Sequence, residues 1–355
     1  MHSLFTPAQL GPLSLSNRLV RSATMDPYGL ADGTVAPRQV ELYEALATTG
    51  IGLIITGHTA VSPLGRASAT QNLFCDDIYL AGQRQVTQAV HRQGGQIVLQ
   101  LSHAGANSLL PAPEGTARLS PSGIAVNPKG LSFKAMTEED MAQTTQAFVQ
   151  AALRAKEAGF DGIQLHCAHS YLLSEFLDPD YNTRTDAYGG SAEGRFRFPG
   201  QVLAAVRQAV GPQFPMLVKI NANCAQHDDT YAEDLLYYCR EMERLGATAI
   251  ELSGCDFTPR GRAGERLYYL DRAKRVKAAV GIPVLLVGGA RTRAEMEQVL
   301  EEGVDFVSLC RPFICQPDFA LRLREGQNES PCVNCARCFT LFEKEGRRCV
   351  LHPKP

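Results

Sequence analysis

The 355-residue sequence predicts one α/β unit closed into a single (β/α)8 TIM barrel over residues 1–325, followed by a short cysteine-rich C-terminal extension over residues 326–355. Three observations carry that prediction. Four segments echo one another: TTGIGLIITGH (48–58), EAGFDGIQLHC (157–167), RLGATAIELSG (244–254) and EEGVDFVSLCR (301–311). Each places a glycine where a helix C-cap needs left-handed backbone. An apolar run typical of a strand covered on both faces follows, then a polar or reactive residue. Strand-like and helix-like stretches also alternate strictly, which argues for a parallel sheet. Finally, there are eight strand-like stretches, with no strand–GxGxxG–helix unit and no internal linker to mark an open dinucleotide-binding sheet.

The elements follow in order. Residues 1–18 form a short β-turn lid at the barrel base. Strands are expected at 19–25, 52–57, 97–102, 162–166, 216–221, 249–253, 283–287 and 306–310. Helices are expected near 36–49, 77–93, 137–158, 195–210, 229–245, 265–280, 291–301 and 317–325, from their apolar periodicity. The loops 104–136 and 167–194 are long, which in a compact unit points to function or disorder. Both leave the C-terminal ends of strands, where barrel active sites are built.

Composition excludes several classes of partner. With 45% hydrophobic residues, 20% charged residues and a net charge of −2, there is no basic footprint for nucleic acid or an acidic membrane. No apolar run approaches the roughly 18 residues of a membrane span, and the N-terminus lacks the pattern of a signal peptide. Eleven cysteines, an odd number, argue against a disulfide framework and for a reducing, cytoplasmic setting. Seven are scattered and four crowd into the last 24 residues. Cys167 reads as small core filler rather than a nucleophile.

The polar residues at the strand ends are Thr24–Met25, His58, Gln100 with His103, His166 with His169 and Tyr171, Lys219 with Asn221, Ser253–Gly254, Gly288–Gly289 and Arg311. In a barrel this set converges on one mouth. VGGARTRAEM after the seventh strand and CRPF after the eighth form a candidate phosphate cradle, because glycines let backbone N–H groups approach an anion and Arg311 adds a forked charge.

The segment HCAHSYLLSEFLDPDYNTRTDAYGGS (166–191) closely resembles the HxAHGYLLxxFLxPxxNxRxDxYGGS stretch of the Old Yellow Enzyme family of FMN-dependent oxidoreductases. LFTPAQLGPLSLSNRLVRSAT, QLSHAG, GGART and RPF extend the likeness over nearly the whole chain. The resemblance implies FMN across the barrel mouth, its phosphate on Gly288, Gly289, Ala290 and Arg311 and its ring against Ser22, Ala23 and Thr24. Gln100 matches a glutamine on the flavin pyrimidine edge, and Lys219 a basic residue near flavin N1 and O2, where reduced flavin carries negative charge. His166 and His169 match a pair that holds a substrate carbonyl oxygen, and Tyr171 a proton donor to the α-carbon. The chain departs from the pattern at Met25, where many members carry Cys or Thr, and at Gly194, which replaces an Asn.

Cys332, Cys335, Cys338 and Cys349 read C-x2-C-x2-C-x10-C. A compact triplet with a remote fourth cysteine is closer to [4Fe–4S] ligation, with zinc as the alternative and free thiols as a third reading. The spacing resembles the motif after the barrel in trimethylamine dehydrogenase and 2,4-dienoyl-CoA reductase. Those relatives continue into further reductase domains. A chain of this length is expected to lack that module, so a cluster here would exchange electrons with a separate protein or be structural.

The expected activity is ene reduction of an α,β-unsaturated carbonyl compound, with NAD(P)H or a protein partner reducing FMN. The alternative is an amine dehydrogenase or N-demethylase that passes electrons out through the cluster. The donor trio favours the carbonyl reading. Two further readings, an electron-carrier scaffold and a flavin-free aldolase-like barrel using Lys219 as a Schiff base, are countered by the donor set, Gln100 and the 166–191 motif. The resemblance also implies dimers or higher assemblies.

Overall fold

The computed structural model describes residues 3–25, 28–124, 131–224, 227–339 and 349–351. Eight parallel strands close on themselves: β1 (Leu19–Arg21), β2 (Leu53–Ile55), β3 (Ile97–Ser102), β4 (Gly162–Cys167), β5 (Met216–Asn221), β6 (Ala249–Ser253), β7 (Val284–Leu286) and β8 (Phe306–Leu309). The β8–β1 and β2–β3 pairings complete the circle, so the TIM barrel is closed. Around it run α1 (Pro37–Ala47), α2 (Leu80–Arg92), α3 (Glu138–Glu157), α4 (Ala192–Val210), α5 (Asp228–Arg244), α6 (Leu270–Ala279), α7 (Arg293–Glu301) and α8 (Phe319–Arg324).

Local chemistry sets these boundaries. The glycines of the four echoing segments, Gly50, Gly159, Gly246 and Gly303, all adopt positive φ, between 70° and 89°, and each turns a helix end into the next strand. Capping boxes start α3 at Thr137 with Asp140 and α7 at Thr292 with Glu295. The helix expected over 265–280 begins only at Leu270, because Leu267 stands at φ +46°, which no helix accommodates. Strand β1 ends at Arg21, and Ser22–Thr24 run on outside the ladder apart from the Ser22 N–H to the Leu309 carbonyl at 2.9 Å.

The N-terminal hairpin, Ala8–Leu10 against Leu13–Leu15, closes the barrel base. Its Ala8, Leu10 and Leu15 pack on an inward layer that includes Val20, Leu53, Val98, Leu217, Ala249 and Phe306. Side chains alternate along a strand, so the residues two positions further on face inward again. Apart from Ile55 they are polar, Ser22, Gln100, Lys219, Glu251 and Ser308, and the barrel interior thus changes from apolar at its base to polar toward its mouth.

Candidate active site

At the C-terminal mouth lies a cavity of about 440 Å³. Every flavin- and substrate-facing residue expected from the sequence lines it: Ser22, Ala23 and Thr24 after β1, Gln100 on β3, His166, His169 and Tyr171 on and after β4, Lys219 on β5, Gly288, Gly289 and Ala290 after β7, and Arg311 after β8.

Its floor is a buried polar chain across the strands. Lys219 Nζ donates to Ser22 Oγ at 2.7 Å and lies 3.2 Å from Glu251 Oε2. Gln164 Nε2 donates to the same Glu251 oxygen at 2.9 Å, and Gln100 Nε2 donates to Gln164 Oε1 at 2.7 Å. Register makes the chain possible, because Lys219 stands beside Glu251 on one neighbouring strand and Gln100 beside Gln164 on another. Lys219 and Glu251 are 2% and 0% exposed as side chains, so each charge depends on the other for compensation. Gln164 and Glu251 were not among the expected site residues. Their signal was a polar letter inside an apolar strand run.

The β4 end carries the donor cluster. His169 and Ser170 both adopt positive φ, 59° and 55°, and such non-glycine strain costs about 1–3 kcal/mol each. The turn is held because the His169 N–H donates to Asn221 Oδ1 at 3.0 Å and its Nε2 lies 2.8 Å from Ser253 Oγ. The His166 ring centroid is 5.2 Å from that of His169 and 4.6 Å from that of Tyr171. Burial, with the Lys219 and His58 charges second, pushes His169 down to about 3. Burial, with His169, His58 and Lys219 after it, holds His166 well below its ordinary value. Both imidazoles are therefore neutral near pH 7. Tyr171 Oη lies 3.2 Å from His58 Nε2, and Gln71 Nε2 reaches His58 Nδ1.

The third wall is the glycine turn. Gly289 adopts φ +84°, and a Cβ there would stand 2.7 Å from the Tyr268 ring. Arg311 Nη2 donates to Tyr268 Oη at 2.9 Å and Nη1 to the Asn334 carbonyl at 3.4 Å. Asn334 and Phe339 also line the cavity, so the first part of the cysteine-rich segment caps the mouth instead of hanging from the barrel. Arg293 N–H to the Asn328 carbonyl and Ser330 N–H to the Arg291 carbonyl pin the connection at 2.8 and 2.9 Å.

Three expectations are corrected. His103 does not reach the mouth. It is buried behind β3, where its Nδ1 accepts the Gly105 N–H at 3.2 Å and its ring packs against Gly65. Gly254 is likewise outside the cavity wall, facing Tyr269 and Asn223. Asn221 also stands off the wall and acts through the His169 backbone. Cys167 is fully buried, and burial pushes its thiol up, as filler requires. Behind Arg311, a gap of about 20 Å³ is lined by Cys332, Cys335, Cys338 and Cys349, together with Cys315.

Residues 3–330 match the model of the NADH:flavin oxidoreductase / NADH oxidase family. The chain belongs to this family, as the Old Yellow Enzyme resemblance anticipated. Within the flavin oxidoreductase family it is 33% identical over 366 residues to an NADH oxidase of Thermoanaerobacter brockii, covering 99% of this chain and 56% of that one. It is 35% identical over 316 residues to an NADPH dehydrogenase of Geobacillus thermodenitrificans, covering 88% and 91%. The solved structure of morphinone reductase superposes with a TM-score of 0.80 at 28% identity, covering 93% and 92% of the two chains. The chain spans about half the length of the first curated relatives it matches, 56% and 51%. Among the described residues no helix is long and apolar enough to cross a membrane.

Proposed function

We propose that this chain is an FMN-dependent ene-reductase using NAD(P)H, acting on an α,β-unsaturated carbonyl compound in a cytoplasmic setting. The observation that carries this reading is the pair of neutral imidazoles beside a phenol, facing the same cavity as the buried Lys219 ammonium. The residues present fit FMN. Gly289 leaves its turn free of a Cβ, Lys219 is a fixed buried cation, and the buried Ser308 Oγ on the cavity wall has no hydrogen-bond partner.

Gly288, Gly289, Ala290 and Arg311 would hold the phosphate, Ser22, Ala23, Thr24 and Gln100 the ring, and Lys219 the charge of the reduced form. When bound, FMN supplies hydride transfer. His166 and His169, as uncharged donors, hold the carbonyl oxygen and draw electron density from the β-carbon. Tyr171 places its hydroxyl proton for the α-carbon, and His58, tied to Gln71, orients that phenol.

Rapid-mixing measurements of the two half-reactions test this. Tyr171→Phe should slow reoxidation by cyclohexenone about 100-fold or more, as loss of a general acid does, and leave reduction by NADPH nearly intact. Equal losses in both half-reactions, or colourless protein that takes up no added FMN, would overturn the reading.

Cys332, Cys335, Cys338 and Cys349 would hold a [4Fe–4S] cluster behind Arg311, since four thiols around one gap with this spacing suit that ligation. It would exchange electrons with a protein partner or serve as a structural cross-link. Iron and acid-labile sulfide should accompany the flavin in anaerobically purified protein, whereas zinc without iron would refute the cluster.

A further inference from the structure

Away from the cavity, the loops that follow β4 and β5 meet over a second set of ligand-bearing side chains. Asp178, Asp180 and Cys224 place their carboxylate and thiol atoms all within 4.8 Å of one another. Cys224 is buried, and its Sγ lies 3.7 Å from Asp178 Oδ1. His227, at C-x2-H spacing from Cys224, sets Nε2 2.9 Å from Asp180 Oδ1. Among the described residues no Lys or Arg forms an ion pair with either carboxylate, and His227 is the one basic partner. Two carboxylates and a buried thiol thus face one another, with the His227 imidazole against the Asp180 carboxylate at their edge.

We propose that Asp178, Asp180, Cys224 and His227 form a zinc site that ties the β4 loop to the β5 loop. Nitrogen, sulfur and carboxylate donors in one shell suit zinc. The two carboxylates and the thiol need only small shifts to surround it, and the His227 ring completes the shell by swinging in from its contact with Asp180. On metal binding the thiol gives its proton to water, and so does the ring nitrogen that faces Asp180. The ring stays neutral with its other nitrogen protonated, so that the thiolate and the nitrogen lone pair both reach the ion. The His227 ring is 44% exposed, which leaves an entry path. The site adjoins α5, whose N-terminal dipole disfavours a cation, but Asp228 and Asp229 occupy that first turn and offset it. The consequence for the barrel is positional. Asn221, which holds the His169 backbone, lies three residues before Cys224, so the ion braces the loop that aims the imidazole pair.

The test is zinc competition against a chromophoric chelator, on flavin-loaded protein dialysed free of loosely bound metal. The full chain should take up one zinc more than Cys224→Ser. His227→Ala should bind that zinc about tenfold or more weakly, with FMN and iron contents unchanged in both variants. Cobalt should give thiolate charge-transfer absorbance that is lost in Cys224→Ser, a difference that excludes the tail cysteines. Should Cys224→Ser misfold, the exposed His227→Ala variant decides the matter. Wild-type zinc stoichiometry and affinity in His227→Ala would overturn the proposal.

Discussion

The Lys219–Glu251 pair shows what a single residue can cost in the barrel floor. Both charges are buried, and each is joined by a hydrogen bond to a neutral partner, Ser22 for the lysine and Gln164 for the glutamate. Removing one partner from such a pair destabilises by about 3–5 kcal/mol, while replacing both with apolar residues is often neutral. Glu251→Leu should therefore lower the urea midpoint strongly, and the double variant Lys219→Met with Glu251→Leu should recover most of the loss. No recovery would mean the pair is not energetically coupled. At this scale the sequence was only half legible. Lys219, Gln100 and the β4 donors stood out through a motif, whereas Gln164 and Glu251 belong to no motif. They become site residues through the strand register that sets them beside Gln100 and Lys219, and one sequence does not contain that pairing.

At the scale of elements, glycine does two distinct jobs that a matched pair of variants separates. Gly303 caps α7 at φ +89°, and a Cβ there would meet nothing within 4 Å. Gly303→Ala should cost about 1 kcal/mol of stability, the ordinary price of a left-handed alanine, and leave flavin affinity unchanged. Gly289, at φ +84°, would drive a Cβ to 2.7 Å from the Tyr268 ring and 2.9 Å from the Leu267 nitrogen. Gly289→Ala should weaken FMN binding at least about fivefold, from the same backbone strain with the clash added, with far-ultraviolet circular dichroism unchanged. Fluorescence titration of FMN checks both variants, and equal affinities in the two would refute the cradle. The repeated cap glycines made the strand and helix order readable, because their φ requirement is local. The Tyr268–Arg311–Asn334 wall was not readable, since three separate loops build it.

Over the whole molecule, buried histidines tie stability to pH. Burial, with Arg118 second, lowers His103 to about 3. Burial also leads the depression of His166 and of His169, the latter again to about 3. An unfolded histidine titrates near 6.5, so below that pH the unfolded chain binds protons that the folded chain refuses. Stability is thus fully present above about 6.5 and is lost as pH falls below it, at up to about 1.4 kcal/mol per pH unit for each histidine. Glu175 works in the opposite sense. Burial raises its carboxyl well above the ordinary range, so the folded chain keeps a proton there that the unfolded chain releases, which flattens the acid limb. His103 is the useful probe because it lies off the cavity, and an asparagine oxygen can still accept the Gly105 N–H. Between pH 7 and 5 the urea midpoint of His103→Asn should fall less steeply than that of the wild type, by about one proton's worth of slope. Glu175→Gln should fall more steeply, because it removes the opposing group. Parallel midpoint curves for wild type and His103→Asn would show that His103 titrates alike in the folded and unfolded chains, and would remove burial as the source of the acid limb.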